Sequence, residues 1–160
     1  MKTFSVISHN LGETDKIALA LAQTFTKGAL ICLYGEIGTG KTTLVKLLAK
    51  HLNIKEKVTS PSFVILNEYH SGSLDLYHFD LYRLEKEGIA SIAPELLEYS
   101  EKQDAFVIIE WAEYSEGALP EDRLEIFLNY VDATSREFIF KFAGNCKKNI
   151  DDLSAKFESL

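Results

Sequence analysis

The segment Gly35-Glu36-Ile37-Gly38-Thr39-Gly40-Lys41-Thr42 sets three glycines, a lysine and a hydroxyl at a spacing that can wrap a chain of phosphates. Glycines let the backbone curl until successive N–H groups point inward at phosphate oxygens, and a helix opening there adds its partial positive charge. Lys41 supplies a point charge able to reach β- and γ-phosphates, and Thr42 a hydroxyl able to ligate Mg²⁺. The pattern is G-x-x-x-x-G-K-[ST], the P-loop. It predicts nucleotide contacts from Glu36, Ile37, Gly38, Thr39, Gly40, Lys41, Thr42 and Thr43, with Lys41 also acting in catalysis.

Such a site needs an acid to complete the metal shell, because Mg²⁺ prefers hard oxygen ligands. Glu110 follows the apolar run Phe106-Val107-Ile108-Ile109, which would deliver it to a strand end. It is expected to act as metal ligand and catalytic acid. Val58-Thr59-Ser60-Pro61-Ser62 places three hydroxyls around a proline after the cradle helix, where a switch could sense a γ-phosphate, so Ser60 and Ser62 join the candidates. Asp80 lies two residues beyond His78 and shares its strand face. A carboxylate among Phe79, Leu81 and Tyr82 needs a partner, which Arg83, water or the metal site could provide. Trp111 beside Glu110 reads as core, lid or a docking contact.

These groups require strands that end near one another. A short strand near Phe4–Ile7 comes first, then a helix from Thr14, where Ile17, Ala18, Leu21, Ala22 and Phe25 recur at helical spacing and Gly28 supplies the stop. Ala29–Tyr34 is a buried-strand run. The cradle helix then spans Lys41 to Leu52, with Leu44, Leu47 and Leu48 facing the core. Phe63–Tyr69 and Leu74–Tyr82 read as an antiparallel pair joined by His70–Ser73. A helix around Glu95–Glu101 leads to the strand Ala105–Ile109. Arg123–Val131 and Arg136–Phe142 form a second strand pair, and Ile150–Phe157 is a helix in a tail appended from about residue 145. The expectation is an α/β fold: a mostly parallel P-loop sheet flanked by helices, with antiparallel strand pairs, in one domain over residues 1–160.

Composition narrows the function. At 160 residues and 46% hydrophobic content the chain can bury a sizeable core. No apolar run approaches the roughly 18 residues that span a bilayer, and the first residues lack a signal-peptide pattern, so a cytoplasmic protein without a membrane partner is expected. Cys32 and Cys146 have no metal or disulfide spacing and read as packing residues. The net charge of −7 speaks against a broad phosphate-gripping surface. Residues 85–125 alone hold twelve acidic against three basic side chains, which reads as a solvated acidic face or a dock for a basic partner.

Four blocks taken together resemble one family. They are Leu33–Leu44, Val58–Phe63, Tyr77-His78-Phe79-Asp80-Leu81-Tyr82-Arg83-Leu84 and Ile109-Glu110-Trp111, and the likeness extends from about Phe4 to Phe142. The family is TsaE, also called YjeE, the small bacterial ATPase required for threonylcarbamoylation of tRNA. The resemblance implies a protein that binds ATP and Mg²⁺, releases ADP, and works with TsaB and TsaD, with tRNA reached indirectly through that complex. TsaD carries the transfer, and the TsaE-like chain would be a P-loop ATPase that is slow alone. It implies that Thr42 and Glu110 hold the metal, that Asp80 is needed for turnover or assembly, and that Ser60 to Ser62 form the switch. It points to Thr14 and Arg136 for the base. The family usually has Thr where this chain has Ser62, and its glutamate-rich helix is altered here at Glu85–Ile89 and Ala93-Pro94.

Rival functions share the cradle. A nucleoside or nucleotide kinase would clamp the moving phosphoryl group with several arginines, and this chain has only Arg83, Arg123 and Arg136. A GTPase would carry the N-K-x-D guanine signature, which is absent. An assembly factor whose nucleotide turnover is incidental stays open.

Overall fold

The computed structural model describes residues 2–115, 117–144 and 149–158. Cys146 and the start of the predicted tail, residues 145–148, lie outside the described residues.

The strands are β1 (Lys2–Ser8), β2 (Gly28–Tyr34), β3 (Leu66–Tyr69), β4 (Asp75–Asp80), β5 (Ala105–Glu110), β6 (Arg123–Tyr130) and β7 (Arg136–Ala143). Among the described residues they form one seven-stranded sheet in the order β1-β7-β6-β2-β5-β4-β3. The centre, β6-β2-β5-β4, is parallel, and the flanking pairs are antiparallel. This is the predicted α/β architecture.

Helices α1 (Leu11–Thr24), α2 (Lys41–His51) and α5 (Ile150–Phe157) pack on one face, while α3 (Leu84–Glu87) and α4 (Ala93–Ser100) cover the other. Strand alternation explains how one strand feeds both layers. On β2, Ile31 and Leu33 enter the core beneath α1 and α2, whereas Leu30 and Cys32 enter the one beneath α4. Buried Cys32 is thus a packing residue, as its spacing suggested. In α2, Leu44 and Leu48 are buried and Leu47 is only half-buried. No helix among the described residues is long and apolar enough to cross a membrane.

Several boundaries differ from the sequence expectations. Helix α1 begins at Leu11 because Asn10 caps it, its side chain accepting the Glu13 N–H at 2.9 Å. It ends before Phe25, so Gly28 is not its stop. Gly28 instead opens β2 at φ 87°, where a Cβ would fall 2.0 Å from the Ala105 carbonyl oxygen. Strand β3 starts three residues later than expected. The N–H groups of Val64 and Ile65 turn back to the Pro61 carbonyl at 3.2 and 2.7 Å, which throws Phe63 and Val64 into solvent. Strand β4 stops at Asp80, whose carboxylate accepts the Tyr82 N–H at 3.0 Å and bends the chain. Strand β1 lies at the sheet edge, paired antiparallel with β7 from Lys2↔Phe142 to Ser8↔Arg136.

Candidate functional site

The cradle loop joins the end of β2 to α2. Gly38 and Gly40 hold φ of 82° and 105°, the left-handed backbone that lets the loop curl over the helix N-terminus. Lys41, the first residue of α2, is nearly buried. Its ammonium donates to the carbonyls of Gly35 and Glu36 and lies 4.0 Å from the centre of the Trp111 ring. Burial pushes this amine below the usual lysine range, while the carboxylates of Glu110, Glu113, Asp80 and Glu36 pull the other way.

Opposite the loop, the parallel register aligns Asp80 at the end of β4 with Glu110 at the end of β5. Apolar strand residues carry both carboxylates to the edge of the core, where they are 4% and 2% exposed. The Thr42 hydroxyl sits 2.9 and 3.0 Å from the two Glu110 oxygens, so hard oxygen donors stand side by side. A fully buried histidine, His78, places Nε2 against Glu110 Oε2. Asp80 accepts from Ser60 Oγ at 3.0 Å and Ser62 Oγ at 3.5 Å, and the two serine hydroxyls are 2.8 Å apart. Arg83, a candidate partner of Asp80, turns away instead. Its guanidinium donates to the Phe63 carbonyl and lies 3.7 Å from Glu87. Asp80 is already satisfied by the hydroxyls and the Tyr82 amide, so it needs no arginine.

Lys41, Thr42, Asp80 and Glu110 line a cleft of about 370 Å³, together with the cradle loop and Ser60, Ser62, Tyr82 and Trp111. It opens at the carboxyl ends of the parallel strands. The helix after β2 packs on one face of the sheet and the helices after β4 on the other, which is where open α/β sheets bind ligands. Across the cradle a second cavity of about 230 Å³ is bounded by Asn10, Thr14, Thr39, Thr43, Arg136 and Phe138. Gly38, Gly40 and Thr43 belong to both, so the two hollows flank one loop. Thr14 and Arg136 are brought together there. The Thr14 hydroxyl lies 2.7 Å from Ser8 Oγ, and Arg136 donates to the carbonyls of Asp132 and Ser135. Glu36 lines neither hollow and contributes its carbonyl to Lys41.

Two features escaped the sequence reading. Tyr130, from β6, donates to the Gly38 carbonyl at 2.8 Å and carries the Arg136 guanidinium 4.2 Å above its ring. No local signal links residues 92 positions apart. The His78–Glu110 pairing was hidden for a similar reason, although a histidine alternating with apolar residues in a strand marks a buried ring.

The donor set suits Mg²⁺. Among the described residues no three His, Cys, Asp or Glu side chains converge into a metal cage. A cation held by Thr42 and Glu110 therefore needs phosphate and water oxygens to fill its shell, which is the habit of Mg²⁺ at nucleotide sites.

Residues 8–138 match a family model described as threonylcarbamoyl adenosine biosynthesis protein TsaE. A protein of that name from Nostoc sp. is 41% identical over 125 residues, covering 78% of this chain and 76% of its own. One from Bacillus subtilis is 39% identical over 145 residues, covering 91% and 89%. The crystal structure of Bacillus subtilis YdiB superposes with a TM-score of 0.78 at 35% identity, over 96% of this chain and 95% of that one.

Proposed function

This chain belongs to the TsaE family, and from that premise we propose that it is the ATP-binding and ATP-hydrolysing accessory protein of tRNA threonylcarbamoyladenosine formation. It acts in the cytoplasm with TsaB and TsaD and is not itself the transferase. The observation that carries the ATPase reading is the convergence of Lys41, Thr42, Asp80 and Glu110 on one cleft beneath a curled glycine loop.

The geometry supports a role for each of these residues. The Lys41 ammonium would meet the phosphates as a full positive charge, because its hydrogen-bond partners in this structure are neutral carbonyls that it can exchange for phosphate oxygens. Thr42 and Glu110 are the residues that would hold Mg²⁺. When bound, the metal neutralises charge on the phosphate oxygens and eases the departure of ADP. Asp80 fixes the hydroxyls of Ser60 and Ser62 at the mouth of the cleft, so this segment is placed to respond to the terminal phosphate. The cavity walled by Thr14 and Arg136 takes the base.

What the cleft does not contain is equally telling about the partner. All three arginines of the chain are engaged away from it: Arg83 on Phe63 and Glu87, Arg123 on Glu125 and Pro120, and Arg136 on the β6–β7 turn. An arginine finger is worth about 10³- to 10⁵-fold in turnover. Hydrolysis by the isolated chain is therefore expected to be slow, and TsaB with TsaD to raise it by supplying charge or ordering the Ser60–Ser62 segment. The test is steady-state ATP hydrolysis with and without the purified pair, with Asp80→Ala and Trp111→Ala alongside. Fast turnover that ignores the partners would sink the accessory role.

A further inference from the structure

His78 carries the further inference. Its ring is completely buried, Nε2 meets Glu110 Oε2, and Nδ1 finds no partner among the described residues. A histidine kept for the fold alone would have both nitrogens satisfied, since burying a polar atom without a hydrogen bond costs stability. An apolar side chain at this position would avoid that cost. What the imidazole alone provides is a donor aimed at Glu110: an ionised carboxylate oxygen only accepts, so Nε2 carries the hydrogen of this bond.

Glu110 needs such a donor. A glutamate has one more rotatable bond than the aspartate common at this position in P-loop proteins, and without restraint its carboxylate would swing about the strand end. The structure clamps it from two directions. The Thr42 hydroxyl approaches both oxygens from the cradle helix, and His78 approaches Oε2 from the neighbouring strand. His78 and Glu110 sit on adjacent parallel strands, with His78 opposite Ile108, so the restraint is built into the sheet register. When Thr42 turns its oxygen toward a cation, His78 is the clamp that remains.

We propose that His78 is a positioning residue that holds the Glu110 carboxylate in the orientation needed to receive the nucleotide-bound divalent cation. This inference rests on the nucleotide reading of the cleft. Outer-shell partners of metal ligands typically matter 10- to 100-fold for metal affinity. In EDTA, where no metal joins Glu110 to the phosphates, a purely positioning role predicts no effect on nucleotide binding.

The experiment uses the full chain and the emission of Trp111, its sole tryptophan, which lies against Lys41 in the cleft. Mg²⁺ is titrated at saturating ATP, and ATP is titrated separately in EDTA, for the parent, His78→Leu and His78→Gln. The leucine variant is expected to need about 10- to 100-fold more Mg²⁺ while binding ATP in EDTA like the parent. The glutamine variant, whose amide can still donate, should recover most of the loss. Should leucine not give a cooperative melt, His78→Met fills the space with a more adaptable side chain and carries the same comparison. An unchanged Mg²⁺ requirement, an equal loss in EDTA, or a glutamine variant as poor as leucine would each overturn the role. A parent chain that shows no Mg²⁺-dependent ATP binding would overturn the nucleotide reading, and this inference with it.

Discussion

On the proposed reading Glu110 is central to the chemistry, and both the Thr42 hydroxyl of the cradle helix and the His78 ring of the neighbouring strand address its carboxylate. Glu110→Gln keeps its size and its hydrogen bonds but removes the charge a metal feels. The variant is expected to fold and still bind ATP while turnover falls by about 100-fold or more. Parent-like hydrolysis would reduce Glu110 to a strand-end acid. Lys41→Ala removes a charge-assisted contact worth about 1.5–3 kcal/mol, so ATP affinity measured by calorimetry should drop roughly 10- to 150-fold. The cradle residues and Glu110 were legible in the sequence because the first form a fixed local spacing and the second ends an apolar run. The partners of Asp80 were not. Arg83 stood nearest in sequence, yet the turn around Pro61 returns Ser60 and Ser62 to the carboxylate and carries Phe63 to the arginine.

At the level of elements, the cradle helix is tied to α1 by Asp15, which lies 2.8 Å from Lys50 Nζ and 2.9 Å from His51 Nε2. Hydrogen bonding to Lys50, and secondarily to His51, holds the Asp15 carboxyl below its usual range against the opposing effect of burial. A depressed carboxyl stabilises the fold above its unfolded pKa of about 3.9, and this contribution disappears as pH falls through the folded value. Asp15→Asn should therefore cost no more than about 1 kcal/mol of stability near pH 7, since the pair is partly exposed, seen as a lower melting temperature, and the difference should vanish in acid. A difference that persists at pH 2 would point to packing instead. The elements themselves were readable where periodicity was long, as in α1, α2 and β5. They were misjudged at their ends, where a side chain such as Asn10 or Asp80 caps the backbone.

For the molecule as a whole, ligand binding and folding are one equilibrium. ATP with Mg²⁺ at about 100 times its Kd adds about 2.7 kcal/mol to the native state. For a chain of this size that corresponds to a rise of roughly 5–11 °C in melting temperature. GTP should give much less; equal shifts would count against an adenine site. Among the described acidic side chains of residues 85–125, Glu110 alone lines this cleft, and Glu113 acts on Lys41 through its charge. The pairing of β1 with β7 has a consequence for how the protein is born. Strand β1 leaves the ribosome well before β7, with which it hydrogen-bonds from Lys2↔Phe142 to Ser8↔Arg136. At roughly 5–20 residues per second, β1 waits about 7 to 27 seconds for its mate. During that interval Phe4 and Val6, which finally pack against the core, have no sheet to join. A ribosome stalled before β7 would thus display a nascent chain in which β1 still lacks the strand it pairs with.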